Sequence, residues 1–271
     1  MRGRLAAVEH ELAIEIGGMA IMVRTDSAKF ARLLEKRYGS FVTAPVARPA
    51  FELEIELAPP GIVNPDEEVC VRLDRGRWVM ERGDFRAEWD PERHRGWVRQ
   101  TANPYSIDSV LRILHSLILA REGGFLVHAA SAVRHGRAFL FSGLSGAGKT
   151  TMARLALPDT TLLSDEVSYV RREPEGYRAF GTPFSGELAK IGENISAPIG
   201  ALYLLAKGPQ NRIEPLATAE AARRLLENIL FFAEDAELVK SVFASACEFV
   251  TRVPVSRLMF VPDGRVWEMI G

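Results

Sequence analysis

Residues Gly143 to Thr150 read G-L-S-G-A-G-K-T, which fits the phosphate-loop (Walker A) pattern G-x-x-x-x-G-K-[ST]. The pattern works only where a strand delivers the loop and a helix leaves it, so it constrains the fold around it. Both flanks comply. Arg137–Ser142 (R-A-F-L-F-S) is apolar and reads as a strand, and Thr150–Leu157 (T-T-M-A-R-L-A-L) reads as a short helix. Gly143 opens the loop. The amides of Leu144, Ser145, Gly146, Ala147, Gly148 and Lys149 can then converge on phosphate oxygens. The helix N-terminus, with Thr151 in its first turn, adds a favourable dipole. Lys149 would reach the β- and γ-phosphates, and the Thr150 hydroxyl would hold Mg²⁺.

A second feature follows closely. Leu162–Val167 reads L-L-S-D-E-V, an apolar approach ending in Asp165 and Glu166, and Asp165 lies 16 residues after Lys149. Pro158 stops the preceding helix, because proline breaks a helix interior. The chain therefore returns to the sheet and sets the two acids at the end of the next strand. There they are either a solvated acidic turn or a pair facing the phosphates, directly or through Mg²⁺.

The 271 residues suffice for one large or two modest domains. With 47% hydrophobic and 25% charged residues, the chain has an ordinary globular balance and a core that needs no disulfide or metal staple. A net charge of −1 gives no support for nucleic-acid or anionic-membrane binding. Cys70 and Cys247 lie in apolar stretches and read as buried free thiols, with no CxxC or zinc spacing. The N-terminus meets an acid before any long apolar run, unlike a signal peptide. Val110–Ala120 contains Arg112 and His115 and is too short to span a membrane. The expected setting is the cytoplasm.

Residues 1–103 read as an N-terminal α+β module and 104–271 as the phosphate-loop domain. In the module, Leu12–Ile16 and Ala20–Val23 form a hairpin across Gly17-Gly18. Asp26 or Ser27 caps a helix over 28–38 that Gly39 ends. Phe51–Leu57 alternates as a half-buried strand. Val69–Leu73, Trp78–Glu81, Phe85–Trp89 and Trp97–Thr101 follow as an antiparallel meander, with loops at Pro45–Pro49 and Pro59–Pro65. Trp78, Trp89 and Trp97 with interleaved arginines are either a nucleic-acid platform or one packed face of the meander. The local acids cancel the positive charge, which favours the packed face.

Ile107–Arg121 is a helix ended by Gly123-Gly124. Phe125–Val133 is a strand that turns at His135-Gly136 straight into Arg137–Ser142, an antiparallel step where a helical crossover is commoner in phosphate-loop enzymes. Further on, Val167–Arg171 and Tyr177–Phe180 read as strands, Gly181–Glu187 as a loop and Ile199–Ala206 as a buried strand. Thr218 caps a helix over 219–232, and a second helix covers 234–250. Ser256–Val261 and Arg265–Ile270 close the chain as a hairpin on Asp263-Gly264.

The sequence order is Leu126-Val127-His128, a tight turn, a strand, G-L-S-G-A-G-K-T, a short helix and L-L-S-D-E. It resembles the catalytic domain of the HPr kinase/phosphorylase family, and more closely its kinase-like relatives within the phosphoenolpyruvate-carboxykinase-like P-loop enzymes. The resemblance covers roughly residues 105–271. It implies an α/β, mixed-sheet kinase domain that uses ATP and Mg²⁺. It also implies that Asp165 takes the proton from the substrate hydroxyl and that Glu166 lies near the metal, where the family usually has a second Asp. His128 matches the family's histidine before the loop; as a lone strand histidine it is equally a structural residue. Lys207–Arg212 (K-G-P-Q-N-R) loosely resembles a basic loop near the phosphates. The family's glycine-rich signature after the acids is replaced by G-T-P-F-S-G-E.

The leading expectation is an ATP-dependent kinase acting on a hydroxyl, that of Ser or Thr in a protein or peptide. A nucleotide-binding regulatory ATPase and a small-molecule kinase of the carboxykinase-like type are the alternatives. Neither nucleic acid nor a membrane is an expected partner, and a homo-oligomer is open. The chain has no L-S-G-G-Q-like signature of a transporter ATPase and no N-K-x-D-like base-reading motif of a GTPase.

Overall fold

The computed structural model describes residues 10–59, 67–186, 188 and 191–271. It is mixed α/β, with two mixed sheets and few helices. The chain divides into two compact units: residues up to Leu114 with Phe232–Asp235, and His115–Phe231 with Ala236–Gly271. No helix of the described residues is long and apolar enough to cross a membrane.

The first unit holds β1 (His10–Ile16), β2 (Met19–Thr25), α1 (Ala28–Tyr38), β3 (Val42–Thr43), β4 (Phe51–Leu57), β5 (Cys70–Asp74), β6 (Arg77–Arg82), β7 (Phe85–Asp90) and β8 (Arg95–Gln100). Their sheet runs β3-β1-β2-β4-β8-β7-β6-β5. The β1–β2 hairpin, the helix capped by the Ser27 hydroxyl and closed by Gly39, and the β5–β8 meander form as the sequence indicates. Of the loop expected at Pro59–Pro65, all but Pro59 lies outside the described residues.

Two expectations for this unit need correction, both through strand periodicity. Trp78 stands opposite Trp89, and Trp89 opposite Gly96, so Trp97 falls on the other face, opposite Glu88 and Glu54. Only Trp78 and Trp89 are buried. Cys70 is exposed rather than buried, because in the edge strand β5 only Val71 turns inward. Cys247 is half-buried.

Helix α2 (Pro104–Glu122) ends at Gly123 and leads into the second unit. There follow β9 (Phe125–Arg134), β10 (Arg137–Ser142), α3 (Lys149–Arg154), β11 (Thr161–Ser164), β12 (Val167–Glu173), β13 (Gly176–Phe180), β14 (Ser196–Lys207), β15 (Arg212–Pro215), α4 (Thr218–Leu226), β16 (Ile229–Leu230), α5 (Ala236–Arg252) and β17 (Val255–Phe260). His135 and Gly136 take φ of 49° and 75°, the mirror-turn geometry that lets two residues join twisted antiparallel strands. Strand β9 therefore passes straight into β10, with no helix between them. On its other edge β10 runs parallel to β14, which runs parallel to β17.

The long β9 serves two sets of partners. Residues 125–128 pair with β12, and 129–134 pair with β10. Both faces of β10 are buried. Ala138 and Leu140 pack with Phe249 of α5 and Leu225 of α4, while Phe139 and Phe141 pack with Met152 of α3 and Trp267. Two-sided burial explains why this strand reads as an unbroken apolar run.

Three expected elements differ here. Helix α3 spans only Lys149–Arg154, ending well ahead of Pro158. Helix α4 begins at Thr218 behind an Ala217 cap and stops at Leu226, not 232. The Asn228 side-chain Nδ2 donates to the Arg224 carbonyl at 2.8 Å, and residues 229–230 turn away to pair with β9. The closing hairpin is absent among the described residues, because both edges of β17 are filled, by β14 and by β15. Residues Gly264–Met269 instead form a 3₁₀ helix that buries Trp267, whose indole N–H donates to the Met152 carbonyl at 3.2 Å. Arg134 then clasps the Trp267 and Ile270 carbonyls, each at 2.6 Å.

His115, fully buried on α2, lies 3.1 Å from the Tyr169 hydroxyl. Burial holds its pKa at about 3, against an ordinary 6.5. The imidazole stays neutral in the fold, while the unfolded chain takes up a proton below its ordinary pKa. Stability is therefore full above that value and falls as pH drops. From pH 7 to pH 5 the residue should cost about 2 kcal/mol. Urea unfolding should show the wild type losing that much more than His115→Asn over this interval; equal losses would contradict the assignment.

Candidate functional site

The loop from Gly143 to Gly148 joins β10 to α3. Gly148 adopts φ 110°, and a Cβ there would stand 2.5 Å from the Phe260 ring. Only glycine fits on both counts. Among the described residues the backbone N–H groups of Ser145, Gly146 and Gly148 make no hydrogen bond. Ser145 and Gly146 are exposed. The Ala147 N–H, between Gly146 and Gly148, donates to the Leu144 carbonyl at 3.0 Å, so three loop amides are left to take an outside acceptor. Lys149 is buried at 8% exposure, and its ammonium donates to the carbonyls of Gly143 (2.8 Å) and Leu144 (3.2 Å).

The acid pair sits between β11 and β12. The Ser164 hydroxyl accepts from the amides of Glu166 (3.2 Å) and Val167 (2.9 Å), so the chain turns sharply at the acids. The buried Thr182 hydroxyl donates to the Val167 carbonyl at 2.9 Å and lies 3.3 Å from Ser164 Oγ. Asp165 is only 3% exposed. Its two carboxylate oxygens accept from the amides of Gly186 (2.8 Å) and Leu188 (3.0 Å). A carboxylate offers about four lone-pair sites, so acceptor capacity remains. The Glu166 carbonyl accepts from Ala129 N–H at 2.9 Å, which fixes the turn to β9.

His128 lies on β9 opposite Val167. Its N–H donates to the Asn228 carbonyl at 2.8 Å, and its carbonyl accepts from the Ser142 hydroxyl at 2.9 Å. His128, Lys149, Thr150, Asp165, Glu166 and Gly186 line one cavity of about 290 Å³. Ser145, Gly146, Gly148 and Thr151 also border it. The remaining loop residues, Gly143, Leu144 and Ala147, face a neighbouring cleft. Residues far apart in sequence thus line one cavity: Lys149, Thr150, the two acids and His128, beside the loop residues Ser145, Gly146 and Gly148.

Among the described residues no cluster of three His, Cys, Asp or Glu side chains could hold a metal by itself. Thr150 and Glu166 carry hard oxygens of the kind Mg²⁺ takes, an ion that ordinarily uses one or two carboxylates and completes its shell from phosphates and water. The residues that sequence reading missed are Ser164, Thr182 and Gly186. A serine directly before the acids is a turn-forming signal, and Gly186 stood in the loop G-T-P-F-S-G-E. Thr182 carried no local signal.

The sequence profile of the family described as SynChlorMet cassette protein ScmC matches residues 99–271. That is more than half of the chain, and the chain belongs to this family. No curated protein matches it.

Gly186 leaves room for the acids. A Cβ there would stand 2.8 Å from Glu166 Cβ and 3.4 Å from an Asp165 oxygen. Gly186→Ala should destabilise by about 1–3 kcal/mol through overpacking, measured by urea unfolding. Gly264→Ala, whose Cβ meets nothing within 4 Å, is the neutral control. Equal midpoints for the two variants would contradict the packing described.

Proposed function

We propose that the chain is an ATP-dependent kinase of the HPr kinase-like, P-loop type, moving the γ-phosphate to a hydroxyl, that of Ser or Thr in a protein or peptide. The observation that carries this reading is the shared cavity: Asp165 and Glu166 line it together with Lys149 and Thr150. A turn of acids serving only solvation would have no reason to bury Asp165 and anchor it on two amides in a cavity shared with an ammonium.

The loop amides of Ser145, Gly146 and Gly148 would bind phosphate oxygens. Lys149, its ammonium held at the Gly143 and Leu144 carbonyls, would reach phosphate oxygens from there and neutralise charge growing on the transferred group. Asp165 would orient the acceptor hydroxyl and take its proton. The amides of Gly186 and Leu188 hold its carboxylate in one orientation, which is the preorganisation such a base needs. Thr150 and Glu166 would hold Mg²⁺, which supplies charge neutralisation between the β- and γ-phosphates when bound. His128, on the same wall, would touch the acid pair or a phosphate.

The same two amide bonds favour a second reading. Asp165 could serve chiefly to tether the segment around Gly186, making the chain a nucleotide-dependent regulator in which binding, not transfer, matters.

Three variants test these roles. Lys149→Ala should lower ATP affinity roughly tenfold or more, from loss of a charge-assisted contact of about 1.5–3 kcal/mol; unchanged affinity by calorimetry would remove the nucleotide assignment. Asp165→Asn should bind ATP nearly normally and slow single-turnover transfer by about 10²–10⁴. Full transfer by that variant would exclude Asp165 as base, and tight ATP binding without transfer to any acceptor would favour the regulator. Glu166→Gln should weaken nucleotide affinity and Mg²⁺ dependence together.

A further inference from the structure

A second cleft, of about 380 Å³, adjoins the loop on its other side. Ser145 and Gly146 border both cavities. The new cleft runs from Leu144 and Ala147 past the end of β14 at Lys207 to Arg224 and Asn228 on α4 and the turn after it. Its size falls in the range of sites that receive small ligands or a short stretch of chain. Asn228 ties it to the first cavity, because its carbonyl accepts the His128 amide at 2.8 Å.

The loop has a direction. The Lys149 ammonium rests on the carbonyls of Gly143 and Leu144, at the loop's beginning. A lysine in this position reaches the β- and γ-phosphates, so the terminal phosphate belongs at that end. The nucleoside belongs at the other, beyond Thr151. The cleft beside Leu144 and Ser145 thus abuts the end from which the phosphate leaves.

Charge gives the cleft its selectivity. Lys207 is exposed and makes no ion pair among the described residues. Arg224 engages only its Nε, 3.4 Å from Glu220, and is 40% exposed. The one acid lining the cleft, Glu227, is paired with Arg223. Among the described residues, Lys207 therefore brings an unpaired cation to the cleft and Arg224, paired through Nε alone, keeps its terminal N–H donors, while Glu227 is held by Arg223.

We propose that this cleft holds the anionic end of the phosphate acceptor, a carboxylate seated by Lys207 and Arg224, and that the acceptor hydroxyl reaches past Ser145 and Gly146, which border both cavities, toward Asp165 in the first. The inference rests on the kinase reading above. In the transfer, the acceptor oxygen bonds to the γ-phosphorus and the bond from that phosphorus to the β–γ bridging oxygen breaks. The bridging electrons leave with ADP, and the hydroxyl proton passes to Asp165. Two sources could supply such an acceptor, a free hydroxy acid or an acidic stretch of peptide, and the assay separates them.

Labelled ATP is offered with L-serine, D-glycerate or a serine peptide flanked by Asp. The neutral counterparts are glycerol and the same peptide flanked by Ala. At least one acidic acceptor should be labelled roughly tenfold faster than its neutral counterpart, and Lys207→Ala and Arg224→Ala should each raise its KM about tenfold. Their kcat should stay within about threefold, since the contact is made equally in ground and transition states. Arg224→Lys should recover part of the loss. Equal labelling of acidic and neutral acceptors would overturn the inference and leave the kinase reading standing. So would variants that lose ATP affinity with acceptor KM unchanged, since the cleft would then hold the nucleotide. Labelling of no acceptor, with ATP binding intact and dependent on Lys149, would remove both.

Discussion

Strand β9 at His128–Ala129 is the point on which the second unit depends. Within two residues its N–H groups donate to the Asn228 and Glu166 carbonyls, and the His128 carbonyl accepts from the Ser142 hydroxyl. One of these bonds fixes the turn after α4, one the acid pair, and one the strand that delivers the glycine loop. The strand can serve all three because its partners change midway, from β12 and β16 along residues 125–128 to β10 and β11 along residues 129–134. The direct turn at His135-Gly136 sets β10 antiparallel beside β9.

Rigidity of the scaffold matters because the candidate site is assembled from short pieces. Helix α3 has six residues and β11 four. Neither would hold a position alone. Trp267 braces α3 through the Met152 carbonyl, and the Thr182–Ser164 pair braces the turn at the acids. The cost of such a design is buried polarity. Asp165, Lys149, Ser164 and Thr182 are all buried, and each is hydrogen-bonded, as a dry interior requires.

Much of this was legible in the sequence, and the reasons are local. The phosphate-loop pattern, the alternation of Phe51–Leu57 and the turn at His135-Gly136 each carry their geometry within a few residues. What was missed is non-local. Residues 265–270 read as a strand, but β15 arrives from elsewhere to fill the edge they would have needed. Residues 229–230 read as helix, but β9 captures them as a strand. Trp97 reads like Trp78 and Trp89 until the register with Gly96 places it on the other face. At the candidate site the acids and the lysine were visible, whereas the amides of Gly186 and Leu188 that seat Asp165 were not. These donors lie 21 and 23 residues beyond Asp165, with no pattern that links them to it.

The central claim is that the loop and the acid pair address one phosphate from opposite sides. A crystal structure with a non-hydrolysable ATP analogue and Mg²⁺ tests it most directly. The account predicts the terminal phosphate within hydrogen-bond reach of the Lys149 ammonium, with the Asp165 carboxylate facing it across the gap an acceptor hydroxyl would fill. An analogue bound with its terminal phosphate turned away from Asp165, or bound outside the Gly143–Thr150 loop, would contradict the account.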